Sequence, residues 1–326
     1  MTERRPVLVV HGGAGTHAAI AGCPEARKAV EEGVVQAARR GYDELRKGGS
    51  SLDAVEAAVM SLEDNATFNA GHGSCLTLEG AVEMDASIMD GHSLDAGSVV
   101  CVSNVANPVH LARAVMEQTK HVSLISDRAS AFAEHVGIGT VNPSTLITEK
   151  SLRRLHSQPQ FQASRLDDFY KQNPGSTGTA KDDNHGTVGA VALDSHGNVA
   201  YATSTGGINA KMPGRMGDSP IIGSGGYADN RCGCVSTTGD GEALMKTCLA
   251  RQITFLMEQG RSAQQAVEEG LSYLQDRVGG SGGAIVLTPQ GDIGISFVSK
   301  GMSWAYVNSP QIHYGIYHGE DNTEAV

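Results

Sequence analysis

The stretch that decides the fold runs over residues 171–194, KQNPGSTGTAKDDNHG followed by TVGAVALD. Its first part, Lys171–Gly186, contains no large apolar side chain, whereas an apolar, β-branched run begins at Thr187. A polar stretch of this kind buries too little surface to offset the entropy cost of ordering it. A short apolar run bounded by turn residues is typical of a buried strand. The composition therefore changes within one residue, at the Gly186–Thr187 bond.

So abrupt a junction suggests that the bond between linker and strand is cut. A threonine at a new N-terminus carries its own base, because an α-amino group has a pKa of about 7.7–8.0 against about 10.4 for lysine. The neutral amine can accept the hydroxyl proton near physiological pH, which makes the oxygen a nucleophile. Spacing alone leaves open the simpler interpretation that Thr187 is one more β-branched strand residue.

Outward from this junction, helical and β-like segments alternate along the chain. Apolar spacing predicts helices over residues 25–47 and 50–62, from Pro108, up to Ala133, and near 240–259 and 262–277. Short strands are predicted at Val7–Val10, Ala81–Ile88, Ser98–Ser103, Val122–Ile125, Ala284–Leu287 and Ile293–Val298.

The strand after Gly186 is followed by the turn Ser195–Asn198 and a second run, Val199–Thr203, which together predict a β-hairpin. Before it, the chain is rich in Pro, Gln, Ser, Asn and charged residues, so we predict a disordered linker over about 141–186. Helices at both ends of each half, with antiparallel strands beside them, predict a layered α/β protein in which two sheets are sandwiched by helices.

The composition excludes several classes of function. The 326 residues include 25 Lys and Arg against 36 Asp and Glu, a net charge of −11, which argues against nucleic acid or an anionic membrane as a partner. No window approaches the roughly 20 apolar residues of a membrane span. The apolar run after Arg4 and Arg5 is too short for a signal peptide, so we expect a cytoplasmic protein. The pair Cys232 and Cys234 lacks the partners of a zinc site.

Two glycine-rich motifs suggest other chemistry. His11-Gly12-Gly13-Ala14-Gly15 follows a strand but lacks the spacing of a dinucleotide turn and the lysine of a P-loop. Gly279-Gly280-Ser281-Gly282-Gly283 matches a serine-hydrolase elbow, which requires a preceding strand and a following helix. Here a helix precedes and a strand follows, so a tight connection is favoured over a serine esterase.

Six motifs, in order along the chain, resemble the plant-type asparaginase/isoaspartyl peptidase family of N-terminal-nucleophile hydrolases. They are HGGAG (11–15), FNAGHGS (68–74), HGTVGAVALD (185–194), ATSTGG (202–207), GRMGDSP (214–220) and STTGDGE (236–242). The resemblance is closest to cytosolic animal members and implies an αββα four-layer sandwich. It also implies self-cleavage after Gly186 into an α chain, 1–186, and a β chain, 187–326, which form one structural domain.

The same resemblance implies roles for individual residues. Thr187 matches the nucleophile, and Thr205 matches the residue whose hydroxyl positions it. The Thr238 hydroxyl and the Gly239 N–H match the oxyanion hole, and Asn69 matches a residue beside the nucleophile's amine.

Substrate binding is implied at Arg215 and Asp218, which match the clamp for an α-carboxylate and an α-ammonium, and at the backbone of Gly241. The charges agree, since a zwitterion needs one group of each sign and Arg binds a carboxylate bidentately. No cofactor is expected apart from a structural sodium ion. The resemblance implies that it is held mainly by backbone carbonyls of a loop that includes Leu62, Glu63, Asn65, Phe68, Ala70 and His72.

The expected activity is hydrolysis of L-asparagine and of β-aspartyl (isoaspartyl) dipeptides by a dimer of αβ units. A glycosylasparaginase-like amidase is the nearest alternative, although that class would need a signal peptide. An unprocessed, inactive binding protein is the alternative from another class. The residues leave open which substrate is preferred and how fast the chain is processed.

Overall fold

The computed structural model describes residues 5–15, 20–158 and 186–326, which form a mixed α/β structure. The strands are β1 Val7–Gly15, β2 Met84–Asp90, β3 Ala96–Val102, β4 Ser123–Ile125, β5 Val188–Leu193, β6 Val199–Thr205, β7 Gly226–Asp229, β8 Gly233–Gly239, β9 Gly282–Leu287, β10 Ile293–Phe297, β11 Gly301–Asn308, β12 Gln311–Gly315 and β13 Asn322–Ala325. The helices are α1 Pro24–Arg46, α2 Ser51–Glu63, α3 Pro108–Gln118, α4 Ser126–His135, α5 Glu149–His156, α6 Gly241–Thr247, α7 Leu249–Glu258 and α8 Ala263–Val278.

These strands form two sheets. One has nine described strands in the order β13-β12-β11-β1-β5-β6-β2-β3-β4, and the other has four in the order β10-β9-β8-β7. The predicted hairpin is confirmed, because β5 and β6 pair in antiparallel register from Val188↔Ser204 to Leu193↔Val199. Strand β6 continues to Thr205, beyond the predicted end at Thr203, and this carries the Thr205 hydroxyl to the start of β5.

Strand β5 is buried on both faces. Its side chains alternate between the two, as the pleat of a strand requires. Val188 and Ala190 belong to the core between the large sheet and its helices, whereas Val191 and Leu193 belong to the core between the two sheets. A strand covered on both sides needs an apolar residue at nearly every position, which explains why the sequence reads as a continuous apolar run rather than an alternating one.

Helices cover the outer faces of both sheets. Helices α1, α2 and α3 contact the large sheet, and α7 and α8 contact the small one. The small sheet in turn contacts the large one through β8 and β9, which pack against β1 and β5. In the part of the chain that the structure describes, no helix combines the length and apolar character that crossing a bilayer would require.

The predicted disordered linker is wrong over its first part. Pro143–Leu146 form a 3-10 helix and Glu149–His156 form α5, and both Leu146 and Leu155 are buried in the core of the large sheet. The polar composition of this segment predicts a linker because only two leucines stand among the polar residues. Two apolar side chains are nevertheless enough to attach a short amphipathic helix to an existing core. The remainder of the predicted linker, 159–185, lies outside the described residues.

If α5 is part of the fold, Leu155→Ala should destabilise the protein by about 2–5 kcal/mol, because it empties a fully packed site. Leu155 is 1% exposed, and its neighbour Leu152, at 38% exposed, is the matched control. Leu152→Ala should change the free energy of unfolding by no more than about 0.5 kcal/mol. Urea denaturation of both variants measures the difference, and equal stabilities would restore the linker interpretation.

Candidate active site

Thr187 stands directly before β5 and is 5% exposed. Its hydroxyl donates over 3.4 Å to Thr205 Oγ1, which donates over 3.5 Å to the carbonyl oxygen of Gly186. The Gly207 N–H donates to Thr205 Oγ1 over 3.0 Å and so holds this hydroxyl in place. The hydroxyls of Thr187 and Thr205 are thereby joined, through long contacts, to the carbonyl that precedes Thr187.

Thr238 approaches Thr187 from β8, in the other sheet. Its fully buried hydroxyl oxygen accepts hydrogen bonds from the Ala14 N–H at 3.1 Å and from the Thr187 N–H at 3.4 Å. A hydroxyl has two lone pairs and one proton, and here both lone pairs are engaged. Since no acceptor for the proton is found among the described residues, the Thr238 hydroxyl can donate to a ligand.

The residue after Thr238 must be a glycine. Gly239 has a φ of +143°, and a Cβ there would lie 2.4 Å from both the Cα of Gly282 and the carbonyl oxygen of Ser281. Glycine alone tolerates this conformation and this closeness of β9. The backbone of Gly239 is therefore held rigidly at the end of β8, next to the Thr238 hydroxyl.

The charged residues predicted to bind substrate meet at Gly241. A Cβ at Gly241 would lie 3.0 Å from Arg215 Nη2 and 3.1 Å from Asp218 Oδ1. The Arg215 guanidinium also donates through Nε and Nη2 to both carboxylate oxygens of Glu242, at 2.9 and 2.7 Å. Sequence reasoning did not predict this bidentate partner, which adjoins Gly241 in the STTGDGE motif.

Burial dominates the electrostatics of Asp218. The side chain is 2% exposed, and burial raises its pKa to about 7, a shift that the Thr237 hydroxyl and Arg215 oppose. The Thr237 hydroxyl lies 3.2 Å from Asp218 Oδ2. A carboxyl group that titrates close to neutral pH gains a full negative charge when a cationic group binds beside it.

Asn69 lies beside Gly186 and fixes the loop that follows β6. Its Nδ2 donates to the Gly207 carbonyl at 2.6 Å, and its Oδ1 accepts from the Cys75 N–H at 2.7 Å. A Cβ at Gly186 would lie 3.3 Å from the Asn69 Cβ. The amide is thus committed to the backbone, which holds the Thr205–Gly207 turn against the Gly186–Thr187 junction.

Seven of the nine residues predicted for catalysis, substrate binding and cleavage line one cavity, here called the acyl cavity, of about 230 Å³ including the part open to solvent. Its lining consists of Gly186, Thr187, Thr205, Gly207, Ile208, Arg215, Gly217, Asp218, Ser219, Gly239 and Gly241. Thr238 lies outside this lining but contacts Thr187, which belongs to it, and Asn69 lines a neighbouring cavity beyond Gly186.

The predicted sodium loop lies outside the lining of the acyl cavity. A Cβ at Gly73, whose φ is +121°, would lie 2.7 Å from the Phe68 carbonyl oxygen and 2.8 Å from that of Ala66. The Glu63 carbonyl oxygen accepts from the His72 N–H at 2.7 Å. Of the six predicted loop residues, Phe68 places its carbonyl oxygen next to Gly73, whereas the carbonyl oxygens of Leu62, Glu63 and Asn65 accept backbone N–H groups. Carbonyl oxygens are ligands for a hard cation, and the sodium ion stays a prediction.

His11 is a buried residue of β1 that lies next to Thr187, a position that the sequence did not indicate. The ring is completely buried, which lowers its pKa to about 3 and keeps it neutral, although the Thr187 backbone opposes the shift. Its Nε2 lies 2.8 Å from Ser236 Oγ, which lies 2.9 Å from Thr203 Oγ1. Because the Thr203 hydroxyl donates to the Gly225 carbonyl, Ser236 donates to Thr203 and accepts from Nε2–H. This chain of hydrogen bonds ties β1 to β8 and β6 next to Thr187.

The fold and site define a hydrolase, and comparison with known proteins identifies its family. The asparaginase family matches residues 4–316, and the chain belongs to it. The isoaspartyl peptidase/L-asparaginase of Xenopus laevis is 50% identical over 325 residues, covering 98% of this chain and 97% of the relative. The proteins of that name from Danio rerio and Homo sapiens are 46% and 47% identical, covering 98% and 95% of this chain and 98% and 96% of the relatives. The resemblance inferred from the six motifs is confirmed.

If Asp218 binds a cationic substrate group, as the sequence predicts, that binding should depend on pH. Its carboxylate form decreases as the pH falls through about 7, so the KM for asparagine should rise roughly twentyfold between about pH 7.5 and about pH 5.5. In Asp218→Asn the KM should be high throughout and nearly flat over this range. Steady-state kinetics across the range test both, and a wild-type KM that does not change with pH would contradict the assignment.

Proposed function

We propose that this protein is a self-processing amidohydrolase that converts L-asparagine to L-aspartate and ammonia and cleaves β-aspartyl dipeptides. The observation that carries the proposal is the convergence of Thr187, Arg215 and Asp218 on one cavity. The name isoaspartyl peptidase/L-asparaginase of the relatives supports both activities. The geometry favours a small acyl group that carries charges of both signs.

Substrate binding in this proposal uses the opposite charges that line the acyl cavity. Arg215 binds the α-carboxylate and Asp218 the α-ammonium of the aspartyl group. Glu242 already holds two donor atoms of Arg215, so it fixes the guanidinium in one orientation while other N–H groups remain for the substrate. With its α-groups held there, the aspartyl group directs its side-chain carbonyl toward Thr187.

Acylation requires a nucleophile, a base and a donor for the developing charge. Thr187 Oγ attacks the side-chain carbonyl carbon, and its proton passes to the free α-amine of Thr187. The oxyanion accepts hydrogen bonds from the Thr238 hydroxyl and the Gly239 N–H, which stabilise the transition state more than the ground state. The amine then gives its proton to the departing nitrogen, the C–N bond breaks, and a β-aspartyl ester of Thr187 remains.

Deacylation reverses these roles with water. The Thr187 amine takes a proton from the water molecule, whose oxygen attacks the ester carbonyl, and the same donors stabilise the second oxyanion. The ester C–O bond breaks, the Thr187 oxygen regains its proton, and aspartate leaves. Thr205 orients the Thr187 hydroxyl in both steps, and Asn69 holds the turn that carries Thr205.

Self-processing is the part of the proposal that creates the catalytic amine. Thr187 Oγ attacks the carbonyl carbon of Gly186, and the Thr205 hydroxyl, which lies 3.5 Å from that carbonyl oxygen, supports the developing charge. The proton that leaves Thr187 Oγ is transferred to the nitrogen as the peptide C–N bond breaks. Water then hydrolyses the ester, which releases the Gly186 carboxylate and restores the Thr187 hydroxyl. The products are the α chain, 1–186, and the β chain, 187–326, which remain together as one domain.

Further parts of the proposal concern architecture and surroundings. We take the packing of helices, two sheets and helices as the αββα sandwich of N-terminal-nucleophile hydrolases. The carbonyls of the loop from Leu62 to His72 would hold a sodium ion with a structural role. The six cysteines form no disulfide bond in the described residues, which supports a cytoplasmic location. A dimer of αβ units stays a prediction, which light scattering tests.

Self-cleavage gives the most direct test. Purified protein should yield two bands on a denaturing gel, and N-terminal sequencing of the smaller fragment should begin Thr-Val-Gly-Ala. Thr187→Ala removes the attacking oxygen and should remain one chain, whereas Thr187→Ser keeps a hydroxyl and should still cleave. Unaided cleavage of the alanine variant at this bond would rule out the mechanism, and a single wild-type band would favour an inactive binding protein.

If Thr238 is an oxyanion donor, two substitutions should differ in their effect on kcat. Thr238→Val keeps the shape but loses the donor and should lower kcat about 10²–10³-fold with little change in KM. Thr238→Ser keeps the hydroxyl and should remain the more active. Since Thr238 also accepts from the Thr187 N–H, valine should slow self-cleavage as well, which a time course by mass spectrometry records. A valine variant that is processed and hydrolyses asparagine like wild type would remove Thr238 from the mechanism.

A further inference from the structure

A second cavity adjoins the acyl cavity on the other side of Gly186, and we call it the outer cavity. It occupies about 540 Å³, including the part open to solvent. Gly186 lines both cavities, so they meet at the bond that precedes Thr187. The outer cavity is lined by the glycine-rich end of β1, by residues 67–69, by Gly186, and by Lys150 and Arg154 of α5.

Among the described residues that line the outer cavity, the charged side chains are cationic. Lys150 and Arg154 are one helical turn apart on α5, which places them on the same face. Both are half-buried, and the Lys150 ammonium donates over 2.8 Å to the Thr67 carbonyl oxygen. Over residues 5–15, 20–158 and 186–326, neither side chain forms an ion pair with a carboxylate.

Two partly desolvated cations are costly to maintain, and no carboxylate of the described residues pairs with them, so they point to an anionic ligand. Burial, with the nearby Arg154 charge, lowers the pKa of Lys150 to about 8, which leaves it mostly cationic at neutral pH. A carboxylate bound between Lys150 and Arg154 would relieve their repulsion and accept charge-assisted hydrogen bonds from both.

The chemistry of the substrates supplies such a carboxylate. A β-aspartyl dipeptide has two, one on the aspartyl group and one on the amino acid that departs. The first is assigned to Arg215, and the second has no partner in the acyl cavity. Asparagine releases only ammonia and has no second carboxylate. With the aspartyl group in the acyl cavity and its carbonyl at Thr187, the departing amino acid extends across the position of Gly186 toward the outer cavity.

We propose that Lys150 and Arg154 form a leaving-group subsite that binds the α-carboxylate of the amino acid released from β-aspartyl dipeptides. The subsite favours dipeptides over asparagine, and it rests on the proposed function of the Thr187 site. Self-cleavage also creates a C-terminal carboxylate at Gly186, which lines the same cavity. The experiment must therefore distinguish binding of the substrate carboxylate from binding of the Gly186 carboxylate.

The experiment compares three substrates on processed enzyme: β-aspartyl-leucine, β-aspartyl-leucinamide and L-asparagine. The measured quantity is the ratio of kcat/KM for each aspartyl compound to kcat/KM for asparagine, which cancels losses that affect every substrate alike. Lys150→Gln and Arg154→Gln should each lower the ratio for β-aspartyl-leucine about tenfold or more, mainly through KM. β-Aspartyl-leucinamide lacks the carboxylate, so its ratio should be low with wild type and should not fall further in the variants.

Two control variants separate charge from structure. Lys150→Arg keeps the cation and should retain most of the wild-type ratio. Arg153 is an exposed cation on the same helix outside the cavity lining, and Arg153→Gln should leave the ratio unchanged. A ratio that stays constant in Lys150→Gln and Arg154→Gln overturns the subsite. Equal gains on all three substrates would show that the subsite holds the Gly186 carboxylate instead, which also overturns it.

The outcome is distinguishable from failure of the proposed function. If wild-type enzyme hydrolyses neither asparagine nor β-aspartyl-leucine, the proposed function fails and the subsite fails with it. If wild type hydrolyses both compounds and only the ratios disagree with expectation, the subsite alone is refuted.

Discussion

The burial of β5 on both faces is the constraint on which the rest of the structure depends. One face packs against the helices of the large sheet and the other against the small sheet, so β5 cannot shift its register without moving apolar side chains out of two cores. Thr187 directly precedes β5 in the sequence, so its position is fixed together with that of the strand. The Thr187 hydroxyl donates to Thr205 of β6 and its N–H donates to Thr238 of β8, so both sheets define the position of this residue.

Buried charged side chains also lie close to Thr187. Asp218 is held in a nearly dry environment where its charge is costly, and Arg215 lies close by but is bound to Glu242. Arg215 is thus paired bidentately with Glu242, whereas Asp218 is stabilised by the Thr237 hydroxyl and the nearby Arg215 charge. In the proposed function, the ammonium group of a ligand would give the Asp218 carboxylate a closer partner. The neutral His11 adds polarity behind Thr187 without adding charge.

Two features that the sequence did not indicate share one cause. The polar composition of helix α5 predicts a linker, and no local pattern around Glu242, which follows the motif glycines, predicts its contact with Arg215. In both cases the informative contact joins residues distant in the chain, namely Leu155 with the core of the large sheet, and Glu242 with Arg215. Local composition indicates how polar a segment is, but it does not indicate which distant residues the segment packs against.

Local pattern alone determined much of this protein. The change at Thr187, the hairpin after it and the α/β class follow from solvation and strand geometry, which neighbouring residues control. The roles of Arg215 and Asp218 are instead implied by the resemblance of GRMGDSP to a family motif. The tertiary structure decided that Thr238 reaches Thr187 from the other sheet, that Thr205 lies at the end of a longer β6, and that Lys150 and Arg154 line a cavity at Gly186. These are distances between residues far apart in sequence, and only the packing of two sheets and their helices sets them.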